Sequence, residues 1–149
     1  MLKKIILCLA ILTIIFSDTS LMAQGNNPGH QKKQSPFLIT SGLPHLTKLL
    51  MQQWDNTTLQ LTEEQKTQLL VVRKETLKGV KRLTPQVVAL EKQVTDGIFL
   101  GKTPDELNSD VQALSKLKTE ATMVHLTCIY DTSEILDQQQ LDILLNLNQ

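Results

Sequence analysis

Apolar residues recur every three or four positions along most of the chain, which is the period of one face of an α-helix. The longest stripe predicts a helix from 63 to about 99, through Leu69, Val72, Thr76, Val80, Leu83, Val87, Leu90, Val94 and Ile98. A second stripe predicts a helix from 104 to about 130, through Leu107, Val111, Leu114, Leu117, Ala121, Val124 and Cys128. No segment alternates with period two over a useful length, so the pattern predicts an all-α fold.

Shorter apolar patterns predict one helix before this pair and one after it. From Pro44 to Trp54 the leucines share one face, and Pro44 suits the first turn of a helix because it has no N–H to satisfy. A last short helix is predicted from Gln138 to about Leu147. Gly101, between the two long stripes, can end the first long helix, and Thr103 can cap the second.

Pro85 lies in the middle of the longer stripe. Proline removes one helical hydrogen bond and commonly kinks a helix. The stripe keeps its phase on both sides of Pro85, which favours one long kinked helix. Thr84 could instead cap a new helix, so a break at this point is the alternative.

Two similar five-residue phrases stand before predicted helices: L-T-E-E-Q from Leu61 to Gln65, and L-D-Q-Q-Q from Leu136 to Gln140. The second residue of each, Thr62 or Asp137, is a good N-cap. The glutamine three positions later can reach back to the N-cap amide. Both phrases therefore predict capping boxes that open helices.

The first 23 residues have the order of a secretory signal peptide: two lysines, an apolar run from Ile5 to Phe16, a polar patch and L-M-A. We place cleavage after Ala23, and an uncleaved signal anchor in the inner membrane is the alternative. Residues 24–43 are predicted to be a flexible arm, since residues 24 to about 36 are rich in Gly, Asn, Gln, Pro and Lys. Residues 44–149 form the predicted helical domain.

Charge and composition exclude several functions. Removing the two lysines and one aspartate of the leader from 15 basic and 15 acidic residues leaves 13 and 14, a net charge of −1. A nearly neutral chain with few aromatic residues gives no reason to expect a nucleic acid partner. The chain also lacks a phosphate loop, a nucleophile elbow and an HExxH helix, so we predict that it is not an enzyme.

The exported size, the complete motif at Leu61, Thr62 and Gln65, and the second motif at Leu136 and Gln140 together resemble the Spy/CpxP-like LTXXQ-motif family of periplasmic helical proteins. The second motif departs from the family at Asp137, where the family has Thr, although Asp caps helices equally well. The resemblance covers residues 44 to the end.

This resemblance implies an elongated, curved helical hairpin that pairs into a homodimer and acts in envelope stress. Spy-like members are ATP-independent chaperones for unfolded periplasmic proteins, and this is the function that we predict. CpxP-like members restrain a sensor kinase, and other relatives respond to metals such as zinc. A regulatory accessory protein of either kind is therefore the alternative.

One cluster of charge could serve a chaperone. Lys74, Lys78 and Lys81 fall close together on the predicted helix with Arg82 beside them, away from the apolar stripe. Positive charge speeds encounter with an unfolded chain, and nearby apolar contacts can hold it briefly. An ordinary solvated helix face is the alternative reading.

A second cluster could bind a transition metal. His125 and Cys128 are three residues apart, so they share a helix face, and imidazole and thiolate suit zinc, copper or nickel. Two ligands do not close a site, and no cofactor is otherwise expected. Cys128 also belongs to the apolar stripe, where a free thiol packs as a small apolar side chain. Cross-linking of a dimer through Cys128 is a further alternative.

Overall fold

The computed structural model describes residues 35–147, so the predicted leader and the first part of the predicted arm lie outside the described residues. Four helices follow one another: α1 (Leu46–Gln52), α2 (Glu63–Phe99), α3 (Pro104–Ile135) and α4 (Gln138–Asn146). Between residues 35 and 147 there is no strand, which confirms the all-α class. The 37 residues of α2 span about 55 Å at the helical rise, and α2 packs along α3 as a helical hairpin.

The long helix α2 continues through Pro85, so the alternative of a break there is wrong. Leu69, Leu83 and Val87 of the predicted stripe are buried, which explains why the phase persists through the proline. Ile98, the last member of the stripe, is 49% exposed, so it does not belong to the buried part of the stripe.

The turn between α2 and α3, which we call the tip (residues 97–103), has a backbone conformation that depends on its glycines. Gly101 has φ +88°, a left-handed conformation that only glycine adopts without strain. The Lys102 N–H donates to the Gly97 carbonyl at 3.0 Å and the Gly101 N–H to the Ile98 carbonyl at 3.2 Å. These two bonds are a Schellman motif, and Thr103 then caps α3.

The other end of the hairpin, which we call the base, contains the main apolar core. Five leucines from α1, the α1–α2 connection, α2, the α3–α4 connection and α4 are buried together: Leu50, Leu59, Leu69, Leu136 and Leu144. Ile135 packs against this core, which extends α3 five residues beyond its predicted end. At the other short helix, α1 begins at Leu46, so Pro44 precedes the helix and does not enter its first turn.

Residues 35–45 lie against α3 without forming a helix. The Leu38 N–H donates to Thr122 Oγ1 at 2.8 Å, and the Phe37 ring lies 5.1 Å from the ring of His125. Among the four helices of residues 35–147, none combines the length and the apolar character needed to cross a membrane.

Candidate functional site

Both motif phrases form capping boxes. Thr62 Oγ1 accepts from the Gln65 N–H at 3.1 Å, while Gln65 Oε1 accepts from the Thr62 N–H at 3.1 Å. Asp137 Oδ1 accepts from the Gln140 N–H at 2.8 Å, and Gln140 Oε1 accepts from the Asp137 N–H at 3.0 Å. Each motif thus satisfies two backbone donors that a helix start leaves without partners.

The two motif glutamines also bind each other, and we call this pair the glutamine clamp (Gln65 and Gln140). Gln65 Nε2 donates to Gln140 Oε1 at 2.8 Å, and Gln140 Nε2 donates to Gln65 Oε1 at 3.2 Å. The remaining donors reach backbone carbonyls, of Ile135 at 2.9 Å and of Leu59 at 3.0 Å. A primary amide has two donors and two acceptor positions, and all of them are used on both side chains.

The first, second and fifth positions of the repeated phrase therefore each have a structural task. Leu136 is buried in the base core and Leu61 packs against it. Thr62 and Asp137 cap α2 and α4, and the clamp holds the two helix starts together. The phrase occurs twice because the two copies form one contact.

The clamp does not show in the local sequence pattern, because capping involves neighbouring residues and the clamp joins residues 75 positions apart. A signal was present at the third residue of each helix. Glutamate completes a capping box as well as glutamine does, and Glu106 does so at the tip. Unlike glutamate, glutamine also provides N–H donors. Glutamine at both Gln65 and Gln140 therefore indicates that each side chain donates to an acceptor outside its own capping box.

The four predicted client-binding cations separate into two pairs. Lys78 Nζ lies 3.8 Å from Glu75 on the same helix, and Arg82 binds Glu120 of α3 at 2.5 Å. Lys74 and Lys81 are exposed, and neither has an acidic partner within residues 35–147. The structure thus leaves two of the four charges available on one face of α2.

Exposed apolar side chains accompany these two lysines. Leu70, Leu77 and Val88 are 48%, 53% and 40% exposed. Together with Lys74 and Lys81 they follow one another at spacings of three, four or seven residues, which places all five on one side of an α-helix. We call this surface the basic–apolar face. The sequence predicts one apolar stripe on α2, and this second stripe is not apparent from the sequence because its two lysines interrupt the apolar pattern.

The predicted metal ligands lie beneath α1 and the segment before it. The ring of His125 stacks on that of His45 with a centroid separation of 4.7 Å. Cys128 is buried, with its Sγ 3.8 Å from Thr47 Oγ1. Between residues 35 and 147 no three His, Cys, Asp or Glu side chains are grouped to hold a metal, so the arrangement adds no support to that hypothesis.

His125 is an unusual core residue. Its side chain is buried, and neither ring nitrogen has a hydrogen-bond partner among the described residues. Burial lowers the pKa of His125, and the charge of His45 lowers this pKa further, while the nearby Pro44 carbonyl acts in the opposite direction. The neutral imidazole is therefore the form that the fold accommodates.

Comparison with protein families, with curated proteins and with solved structures gives no match for this chain. What the described residues define is a class of fold, an all-α protein with two long helices packed as a hairpin. The LTXXQ-family resemblance stays a prediction that rests on the motif residues.

Proposed function

We propose that this protein binds unfolded protein chains without ATP, as a small chaperone of the cell envelope. The basic–apolar face is the observation that carries the proposal. Single exposed leucines are ordinary on protein surfaces. Three apolar side chains alternating with two unpaired lysines on one helix face are a less common arrangement, and they combine attraction at a distance with weak apolar contact.

A shallow groove beside this face extends the same chemistry. It has a volume of about 760 Å³ and lies between α2 and the segment from Ser35 to Phe37. Lys81 and Val88 line it together with the apolar Val80 and Pro85. An extended chain could therefore contact the face and the groove in one continuous path.

Export, pairing with a second copy and action in envelope stress belong to the proposal as predictions from the sequence. The leader lies outside residues 35–147, and no partner chain is described. Restraint of a sensor kinase stays an alternative implied by the family resemblance alone. No described contact favours a metal-responsive function over client binding.

The test is suppression of aggregation. The protein is mixed at equal concentration with a chemically unfolded client in the presence of a metal chelator and without ATP, and light scattering is followed as the denaturant is diluted. We expect scattering to fall strongly. The double variant Leu70→Ser and Leu77→Ser should lose most of this effect, and Lys74→Glu with Lys81→Glu should slow client capture at low salt.

Val111→Ser is the matched control, because Val111 is 47% exposed on α3 and lies outside the basic–apolar face. It should suppress aggregation as well as the unchanged protein does. Unchanged scattering with the native sequence would overturn the proposal. Equal loss of activity in the control and in the double leucine variant would show that client binding does not depend on the basic–apolar face.

A further inference from the structure

A second concave surface opens between α2 and α3 on a different side of α2. It is lined by Val71 and Glu75, each one residue after a member of the basic–apolar face, and therefore about 100° further around the helix. At Gly79 the two helices approach closely, since an added Cβ would lie 3.0 Å from Val124 Cγ1. The groove lies next to this close contact and has a volume of about 400 Å³.

The lining of the groove is mainly apolar. Val72 and Val124 are half-buried and Cys128 is buried, while Val71 and Met123 are 58% and 54% exposed at the mouth. Its volume lies within the range of about 300–1,000 Å³ usual for sites that take small ligands or single side chains. A whole α-helix, about 10 Å across, is too large for this space, which favours an extended segment as the occupant.

The charges of the groove have one sign. Glu75, Glu120 and Asp131 line it, and no lysine or arginine does. Glu120 binds Arg82 and Glu75 lies near Lys78. Asp131 is half-buried and makes no ion pair or side-chain hydrogen bond within the described part of the chain. A partly desolvated carboxylate without a partner favours a cation beside it.

We propose that this acidic groove binds segments of unfolded chains in which Lys or Arg stands next to large apolar residues. The apolar side chain lies over Val72 and Val124, and the cation pairs with Asp131. The inference rests on the proposed client binding and names the class of segment that is bound. It also gives α2 two surfaces of opposite charge, one for each kind of charged apolar segment.

Binding of three labelled peptides, measured by fluorescence anisotropy, tests the inference. The peptides share one apolar sequence and carry Lys, Gln or Glu flanks. We expect the Lys peptide to bind about tenfold more tightly than the Gln peptide at low salt, with the difference shrinking as salt rises. Asp131→Asn keeps the size of the side chain and should bring the Lys peptide to the affinity of the Gln peptide.

Glu134→Gln is the matched control, because Glu134 is exposed on the same helix and does not line the groove. It should leave the preference for the Lys peptide unchanged. Equal affinity for the three peptides, or loss of the preference in Glu134→Gln but not in Asp131→Asn, overturns the inference. Self-association that Asp131→Asn abolishes, measured by sedimentation, also overturns it, because the occupant is then a second copy.

The aggregation assay separates this inference from the proposed function. If the protein suppresses aggregation but shows no charge preference, the groove assignment fails and the proposed function stands. If the Lys peptide binds through Asp131 while aggregation is unaffected, the groove binds cationic segments and the chaperone proposal fails.

Discussion

The base and the tip of the hairpin are built from the same two helices, yet they differ in how far their apolar side chains are buried. At the base, five leucines from several segments are buried together. At the tip, Phe99 and Leu100 are 85% and 83% exposed. Two packed helices cover only the residues between them, and apolar side chains on other faces need a further layer. Because α1 and α4 supply that layer at the base alone, we expect the stability of the fold to be concentrated there.

The largest effect is expected from the base core. Leu144→Ala removes a fully buried side chain and should lower the free energy of unfolding by about 2–5 kcal/mol. Leu100→Ala at the tip should change it by less than about 0.5 kcal/mol. Urea unfolding followed by circular dichroism measures both. Similar losses in the two variants would contradict the contrast between base and tip.

The glutamine clamp gives the next effect. Gln140→Leu leaves the Asp137 N–H, the Leu59 carbonyl and the amide of Gln65 without their partners, so a loss of about 2–4 kcal/mol is expected in urea unfolding. Gln139→Leu, at the exposed neighbouring position, is the control and should be nearly neutral.

A double-mutant cycle sharpens this test. Because Gln65 and Gln140 share two hydrogen bonds, replacing both by Leu should cost less than the sum of the single changes. Strict additivity would show that each glutamine acts only as a cap.

A smaller effect is expected from exchanging the side chains that complete the capping boxes. Gln65→Glu keeps the acceptor for the Thr62 N–H but loses both N–H donors of the Gln65 amide, which bind Gln140 Oε1 and the Ile135 carbonyl. The free energy of unfolding should therefore fall by about 1–2 kcal/mol. Glu106→Gln at the tip keeps its box and has no clamp to break, so the unfolding midpoint should hardly move. Equal shifts at the two ends would show that the clamp contributes nothing beyond capping.

The smallest effect concerns pH and the buried imidazole. The pKa of His125 is lowered in the fold from its ordinary value of 6.5, so the unfolded chain binds a proton more readily. Its contribution to stability is complete above about pH 6.5. This contribution is lost as pH falls through the folded-state pKa, by at most about 1.4 kcal/mol per pH unit for one proton.

Comparison of His125→Phe with the unchanged protein isolates the contribution of His125 to the pH dependence of stability. Phenylalanine needs no hydrogen bond, and neither ring nitrogen of His125 meets hydrogen-bond geometry with any residue from 35 to 147, although the Pro44 carbonyl lies nearby. Thermal unfolding between pH 7.5 and pH 5.5 should show a smaller decline in the variant. Parallel curves for the two proteins would mean that folding does not lower the pKa of His125.

The starts of α2, α3 and α4 could be predicted from the sequence, because each is set by local chemistry. Glu63, Pro104 and Gln138 follow N-caps whose side chains bind amides three residues away, and all three starts agree with the structure. The end of α3 at Ile135 could not be predicted in this way. It depends on a side chain that packs against the base core, and no local pattern records such a contact.

The candidate surfaces depended still more on tertiary structure. The cluster from Lys74 to Arg82 was visible as a run of charge, but Glu120, on the other long helix, decides that Arg82 is engaged. Asp131 belongs to the acidic groove only because α3 crosses α2 at Gly79. Such pairings join residues that are far apart in sequence, and a single sequence does not indicate them.

The clamp has a consequence for the order in which the protein matures. Gln140 is synthesised 75 residues after Gln65. Both long helices can therefore emerge and pair before the glutamine clamp forms at the base. Until then Gln65 has a capping task but lacks its amide partner, and the leucines around it lack α4. A nascent chain stopped after Ile135 would contain both long helices but would lack the hydrogen bond from Gln140 to the Leu59 carbonyl. A protease should therefore cut this shortened chain near Leu59 faster than it cuts the full-length protein.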